Sequence, residues 1–183
     1  MNLKKNLQEK ILSNPNKEIF FFDESRFGTH SKIGHGWFKK GSRTAVNVKL
    51  GFENFYVYSA VCPETGEDYT LIFPNADSDC LNAYLDAFSH YIGDREVMFI
   101  LDGAGWHKAN KLKVHPNIEL VFLPPYSPEL NPVERFWQFI KDNTIKNQVY
   151  KTLQGIEDEV SYFLKGITNE ITASVCRVKY LSI

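Results

Sequence analysis

The segment from Leu123 to Trp137 constrains the fold most, because it couples a rigid loop to a well-marked helix start. Four prolines restrict the backbone of this segment. Asn131 suits the N-cap of a helix, Pro132 suits the first helical position and Glu134 suits the third. The apolar residues that follow predict a buried stripe on this helix, formed by Val133, Phe136, Trp137 and Ile140. Glu134 is therefore expected in the first turn of an amphipathic helix, directly behind a stiff loop.

Two apolar runs upstream each end in an aspartate. Residues 19–23 end at Asp23, and the run over residues 97–101 is followed by Asp102. Short, continuous apolar runs of this kind are typical of fully buried strands. Ligands gather beyond the carboxyl ends of parallel strands, and adjacent strands lie about 4.8 Å apart. If the two strands are neighbours, we expect the two aspartates to lie close together.

The order of the remaining elements predicts an α/β fold with a mixed central sheet flanked by helices. Strands are predicted over residues 44–50, 54–61 and 68–73, which form an antiparallel meander after the first strand, and over 118–123. Helices are predicted over residues 3–13, after the segment Asp77-Ser78-Asp79, which offers an N-cap, over about 106–114 and over about 152–165. Late in the chain helices separate the strands, which implies parallel neighbours there. The last 15 residues show no clear pattern.

Two strands and one helix would thus each deliver a carboxylate to the same region: Asp23, Asp102 and Glu134. Carboxylate oxygens are the ligands that Mg²⁺ and Mn²⁺ prefer. A pair of such ions about 3.5–4 Å apart catalyses phosphoryl transfer, because one ion activates the attacking oxygen and the other stabilises the leaving oxygen. The sequence therefore predicts metal-dependent chemistry on nucleic acid, with no activity in the absence of metal.

Each of these residues also has a purely structural explanation. Asp23 and Asp102 could begin turns, and Glu134 could complete a capping box. Glu24 competes with Asp23, but neighbouring side chains of a strand point to opposite faces, so only one can face the site. His107 could orient a phosphate or assist proton transfer, or could be an ordinary surface histidine. Asn131 could contact DNA or simply cap the helix.

The charge distribution points to one DNA-contacting strip. The net charge of −1 argues against tight DNA binding by this chain alone. From Ser25 to Phe52, however, there are basic residues and no acid. The basic residues of this strip are predicted to contact the DNA backbone: Arg26, Lys32, Lys39, Lys40 and Arg43. Its aromatic residue Trp37 is predicted to contact unstacked bases. A solvated surface explains the same pattern.

Four motifs resemble one known family. They are Phe22-Asp23-Glu24-Ser25, Gly36-Trp37-Phe38-Lys39-Lys40-Gly41, Leu101-Asp102-Gly103-Ala104-Gly105-Trp106-His107, and the segment from Leu123 to Glu134. Together they resemble the catalytic domain of DDE/D transposases, in the bacterial insertion-sequence branch of the mariner superfamily. The likeness spans about residues 19–150. Between Asp102 and Glu134 there are 31 residues, slightly fewer than is usual in the family.

The resemblance implies an RNase H-like fold in which Asp23, Asp102 and Glu134 bind two Mg²⁺ or Mn²⁺ ions. It also implies cleavage of DNA at transposon ends and transfer of the freed 3′-hydroxyl into target DNA. The implied partners are transposon and target DNA, and a second copy of the chain when assembled on DNA. Family members carry an N-terminal helix-turn-helix region, which we expect to be separate or missing here, because only about 18 residues precede the first strand.

Two alternative functions stay open. The chain could be an RNase H-like nuclease that hydrolyses DNA without joining it. It could also be a catalytically idle transposase fragment that acts as a binding module, although the intact acidic triad argues against this.

The domain organisation predicted from the sequence is simple. Residues 1–18 are interpreted as a helix or linker remnant, 19–150 as the catalytic domain and 151–183 as a helical extension of the same domain. No apolar run approaches the roughly 20 residues of a membrane span, and no signal peptide is recognisable. We therefore predict a cytoplasmic, nucleoid-associated protein with no membrane partner.

Overall fold

A computed structural model describes residues 3–30, 40, 51–108, 111–125 and 127–178 of the chain. Its strands are β1 (Glu18–Gly28), β2 (Asn54–Val61), β3 (Asp68–Phe73), β4 (Val97–Leu101) and β5 (Ile118–Phe122). Its α-helices are α1 (Leu3–Leu12), α2 (Ser78–Ile92), α3 (Val133–Thr144), α4 (Leu153–Gly166) and α5 (Asn169–Cys176). Short 3-10 helices lie at Gly105–Lys108 and Pro128–Leu130. No helix of the described part is long and apolar enough to cross a membrane.

One five-stranded sheet in the order β3-β2-β1-β4-β5 forms the centre of the fold. Strands β1, β2 and β3 are antiparallel neighbours, whereas β1, β4 and β5 are parallel. The predicted mixed sheet of a meander and parallel strands is therefore confirmed. Strand β1 joins the antiparallel and parallel parts of the sheet, because its first half pairs with β4 and its second half pairs with β2.

Both faces of the sheet are buried, which explains the continuous apolar runs. Helix α2 covers one face with an aromatic core that includes Phe20, Phe22, Tyr84, Phe88 and Phe99. Helices α3, α4 and α5 cover the other face, where the core includes Phe21, Met98, Phe136, Ile140 and Val160. Leu7 of α1 belongs to this second core as well. Successive residues of β1 therefore alternate between the α2 face and the α3 face.

The structure corrects two of the predicted elements. Strand β1 was expected to end at Asp23 but continues to Gly28, because its polar second half is paired with β2 from Phe21↔Val61 to Gly28↔Asn54. The helix expected over about 106–114 is wrong. A 3-10 helix ends at Lys108, and residues 111–117 are not helical. The Asn82 side chain bonds the carbonyl of Lys111 and the N–H of Lys113, two groups that a helix would use itself.

Helix α5 lies in the region where the sequence shows no clear pattern, with Thr172 and Cys176 as its buried residues one helical turn apart. Several predictions fall outside the described residues. These are the strand over 44–50 and the strip residues Lys32, Trp37, Lys39 and Arg43.

Candidate active site

A cavity of about 420 Å³ lies at the carboxyl ends of the parallel strands. Three acidic side chains from distant parts of the sequence line it: Asp23, Asp102 and Glu134. The loop after β5, which contains Pro124, Pro125 and Pro128, forms another wall. The site thus lies where parallel strands of an α/β sheet are expected to place a ligand.

The sheet register explains why the two aspartates meet. The parallel pairing of β1 with β4 runs as far as Phe21↔Ile100. Continued by two residues, the same register sets Asp23 opposite Asp102. Asp102 directly follows β4, whereas Asp23 stays within β1 and is paired with Ser59 of β2. One aspartate is therefore fixed by a strand and the other begins a turn.

Asp23 is partly buried on the α3 face of the sheet. The indole N–H of Trp137 donates a hydrogen bond to Asp23 Oδ2 over 3.0 Å. Burial raises the pKa of Asp23 well above its usual value, and the negative charges of Glu24, Glu134 and Asp102 raise it further, against the opposing effect of Trp137. In the absence of a cation, the ionised form of this carboxyl is costly.

Asp102 has the opposite surroundings. Its Oδ1 lies 2.6 Å from His107 Nδ1 and accepts a hydrogen bond from the Ala104 N–H over 3.0 Å. The hydrogen bond to His107 lowers the pKa of Asp102 although burial opposes it. For His107, burial alone would lower the pKa, but its contacts with Asp102 and Glu24 raise the pKa to about 9. A pKa of about 9 favours the charged imidazole at neutral pH while no cation is bound to Asp102.

Glu134 lies in the first turn of α3, and its side chain is exposed. A capping box requires Glu134 to accept the backbone N–H of Asn131, but that N–H donates to the carbonyl of Pro128 over 2.9 Å. Asn131 itself is buried. Its amide donates to the Phe22 carbonyl over 2.9 Å and accepts from the Val133 N–H over 3.2 Å. Asn131 thus ties the start of α3 to β1.

The donor set fits a hard divalent cation, although the side chains do not form a ready-made cage. Within the described ranges, no group of three or more His, Cys, Asp or Glu side chains is placed to hold a metal ion. Mg²⁺ commonly uses only one or two carboxylates and completes its shell with water and substrate phosphates. Three carboxylates around one cavity, with unrelieved repulsion on Asp23, are compatible with such a site.

Two residues of the basic strip lie within the described part of the chain. Arg26 and Lys40 are both exposed. Arg26 lines a second cavity, of about 730 Å³, together with His30, Trp137 and Glu134. Because Glu134 lines both cavities, the basic cavity adjoins the acidic one.

Sequence reasoning missed two contacts at this site. Trp137 was assigned only to the buried stripe of α3, yet its N–H holds Asp23. Glu24 was considered only as a rival of Asp23, yet its Oε2 lies 3.2 Å from His107 Nε2 on the α2 face. Both contacts join residues that are far apart in sequence. Strand alternation could have placed Glu24 on that face, but nothing local could have named its partner.

Comparisons with known proteins agree with this architecture. A protein of Sinorhizobium fredii (strain NBRC 101917 / NGR234) described as uncharacterized protein y4pE/y4sA is 44% identical over 102 residues, covering 55% of this chain and 76% of the relative. The insertion element IS630 uncharacterized 39 kDa protein of Shigella sonnei is 26% identical over 156 residues, covering 82% of this chain and 45% of the relative. This chain therefore spans under half of the IS630 protein.

The fold is also similar to that of a Mos1 mariner paired-end complex solved with Mn, with a TM-score of 0.69 at 16% identity. That match covers 96% of this chain and 58% of the Mos1 chain. The sheet order, the flanking helices and this likeness define the RNase H-like fold, as predicted. The family of DDE superfamily endonucleases matches residues 18–157.

The chain therefore belongs to the DDE superfamily endonucleases. The family resemblance expected from the four motifs is confirmed.

Proposed function

We propose that this chain cleaves DNA at transposon ends and transfers the freed 3′-hydroxyl into target DNA, using divalent cations held by Asp23, Asp102 and Glu134. The observation that carries the proposal is the cavity that these three carboxylates line together, although they lie far apart in the sequence. Membership of the DDE superfamily endonucleases supports it. Residues 19–150 would form the catalytic unit, and residues 151–183 would be an extension of the same domain.

Different residues around the cavity would orient each of the three carboxylates that bind the cations. Trp137 orients Asp23, His107 orients Asp102, and the first turn of α3 presents Glu134. Two bound Mg²⁺ or Mn²⁺ ions would activate the attacking water or hydroxyl and stabilise the leaving oxygen. A cation would also relieve the repulsion that raises the pKa of Asp23. The presence of Mn in the Mos1 complex is consistent with this choice of metal.

DNA would approach from the side of Arg26. Its guanidinium and the imidazole of His30 line the cavity that adjoins Glu134, so a phosphate backbone lying there would lead towards the carboxylates. A net charge of −1 gives this chain little non-specific affinity of its own. We therefore propose that a helix-turn-helix region outside this chain reads the transposon end and that two copies assemble on DNA. The Mos1 structure of similar fold is a paired-end complex.

A strand-joining assay tests this function directly. The 183-residue chain is incubated with Mn²⁺, a target plasmid and a labelled duplex that ends in the inverted repeat flanking its gene, with the 3′ end already cut. We expect the labelled strand to become covalently joined to the plasmid at low salt and at a duplex concentration high enough to offset the weak DNA affinity of this chain alone. A matched duplex with a dideoxy 3′ end controls for the attacking hydroxyl and should give no joined product.

The alternatives give different products in the same assay. Plasmid nicking without joining would favour an RNase H-like nuclease that only hydrolyses DNA. Retention of the duplex without nicking or joining, together with no metal binding, would favour an idle fragment and contradict the proposal.

A further inference from the structure

His107 is the most completely buried ionisable group at the edge of the proposed site. Only 1% of its side chain is exposed. One ring nitrogen, Nδ1, lies 2.6 Å from Asp102 Oδ1 and 3.2 Å from the main-chain carbonyl oxygen of Asp102, and the other, Nε2, lies 3.2 Å from Glu24 Oε2. Its ring also packs edge-on against Phe22, with 5.9 Å between the ring centroids. Both nitrogens are thus occupied and the ring is shielded, so His107 does not reach a DNA phosphate or a reacting water.

The side chain of Asp102 needs contacts with other residues to fix its orientation, because Asp102 lies outside the strand. It follows the last residue of β4 and begins a turn that contains Gly103 and Gly105. Its side chain is 56% exposed, and an aspartate so exposed at the start of a turn has several open rotamers. The two contacts on Oδ1, from His107 and from the Ala104 N–H, select one of them.

Glu24 anchors this arrangement to β1, the central strand of the sheet. It lies in the part of β1 that is paired with β2, opposite Tyr58, and points to the α2 face. Asp23, its neighbour in sequence, points to the α3 face and is held by Trp137. Strand β1 thus carries Asp23 itself, and it also holds Asp102 in place through Glu24 and His107.

We propose that Glu24 and His107 are positioning residues that fix the carboxylate of Asp102 for cation binding, with neither of them touching cation or substrate. The inference rests on the proposed function, because it assumes that Asp102 is a ligand. Groups that orient metal ligands typically change metal affinity by about 10- to 100-fold when they are removed.

Paired substitutions of His107 separate its two contacts. The amide nitrogen of Asn lies near the position of Nδ1, so His107→Asn can still donate to Asp102. The amide nitrogen of Gln lies near Nε2, so His107→Gln keeps only the contact with Glu24. We expect His107→Gln to weaken Mn²⁺ binding by about 10- to 100-fold. His107→Asn keeps the donor to Asp102 but loses the contact with Glu24, so its loss of affinity should be smaller than that of His107→Gln. Glu24→Gln keeps the imidazole and an acceptor for it, so it should lose a few-fold in affinity and no more than His107→Asn.

Mn²⁺ affinity is measured by titration calorimetry on the full chain, and the Mn²⁺ dependence of strand joining is measured in parallel. Loss of positioning should raise the Mn²⁺ concentration needed for half-maximal joining more than it lowers the rate at saturating Mn²⁺. Glu67→Gln is the matched control. Glu67 forms a partly buried ion pair with Arg95 at 2.8 Å, remote from the cavity, and its loss should leave Mn²⁺ affinity unchanged.

Each outcome decides a different claim. Wild-type affinity in both His107→Gln and Glu24→Gln would overturn the positioning role and leave the proposed function standing. A wild-type chain that binds no Mn²⁺ and joins no DNA would overturn both. If His107→Gln does not fold, as judged by circular dichroism, Glu24→Gln decides the matter, because it leaves the imidazole in place. Equal loss of affinity in Glu67→Gln would mean that the effect is one of general stability, and would also overturn the inference.

Discussion

Asp23 and Asp102 line one cavity, but their surroundings treat the negative charge in opposite ways. Asp23 is partly buried, is held by the neutral indole of Trp137 and faces other carboxylates, so its pKa is raised. Asp102 is exposed and is held by the charged His107, so its pKa is lowered. The negative charge of Asp23 is repelled by the neighbouring carboxylates, and no positive side chain among the described residues offsets it. The negative charge of Asp102, in contrast, is offset by His107. A bound cation should therefore matter more to the stability of the Asp23 side.

The largest expected effect is on the rate of strand joining. It should be similar for both aspartates, because both are proposed cation ligands. Asp23→Asn, Asp102→Asn and Glu134→Gln should each reduce strand joining by about 1,000-fold, the equivalent of several kcal/mol of transition-state stabilisation. The rate of joining with pre-cut duplex and Mn²⁺ is the measurement. Undiminished joining in any one variant would remove that residue from the site.

The second prediction separates the two aspartates by the sign of their effect on stability. In EDTA at neutral pH, Asp23→Asn should raise the free energy of unfolding by about 1–2 kcal/mol, because it removes a costly buried charge and retains an acceptor for Trp137. Asp102→Asn should lower it by about 0.5–1 kcal/mol, because the ion pair it loses joins a buried His107 to an Asp102 side chain that solvent partly screens. Urea denaturation measures both.

Equal signs for the two variants would contradict the comparison. Added Mn²⁺ offers a further check on the same samples. It should stabilise the wild type and have much less effect on Asp23→Asn, because a ligand that binds only the folded state stabilises it.

The third prediction concerns pH and the support of Asp102. His107 has a folded-state pKa of about 9 and an unfolded-state pKa near 6.5. A raised folded-state pKa stabilises the fold fully below the unfolded value, and this stabilisation is lost as pH rises through about 9. In EDTA the wild type should therefore lose about 0.5–1 kcal/mol more than His107→Asn between pH 6.5 and 9.5.

Urea denaturation across that pH range measures the difference. Parallel pH profiles for the wild type and His107→Asn would show that the imidazole is not charged in the folded protein, and Asp102 would then resemble Asp23 rather than contrast with it.

The smallest expected effect is on DNA affinity and concerns Arg26 rather than the two aspartates. Arg26→Ala should weaken DNA binding about threefold at low salt and reduce the slope of log affinity against log salt by about 1, the signature of one lost phosphate contact. Fluorescence anisotropy at several salt concentrations gives both values. Lys165→Ala is the control, because Lys165 is an exposed cation on α4, away from the cavity. An equal change in both variants would indicate general electrostatics rather than a groove beside Glu134.

Much of the fold could be predicted because its signals are local. The apolar runs before Asp23 and Asp102 mark buried strands, and Asn131 with Pro132 marks the start of α3. The second half of β1 could not be predicted in this way. Its polar residues are held in a strand by pairing with β2, which no pattern within residues 24–28 reveals.

The three carboxylates of the candidate site could be picked out for the same reason, since each ends or begins a recognisable element. Their supports could not. Trp137 meets Asp23 across 114 positions, and His107 meets Glu24 across 83. Such contacts arise only when the sheet register and the docking of α3 bring distant segments together. The His107 region was further obscured because Lys111 and Lys113 form hydrogen bonds with the side chain of Asn82 and are not part of a helix.

Anomalous diffraction from crystals soaked in Mn²⁺ tests the central claim most directly. We predict anomalous density in the cavity between Asp23, Asp102 and Glu134, with carboxylate oxygens of all three within bonding distance of the ions. Density confined to other parts of the surface, or a cavity that stays free of Mn²⁺ at millimolar concentration, would contradict the account.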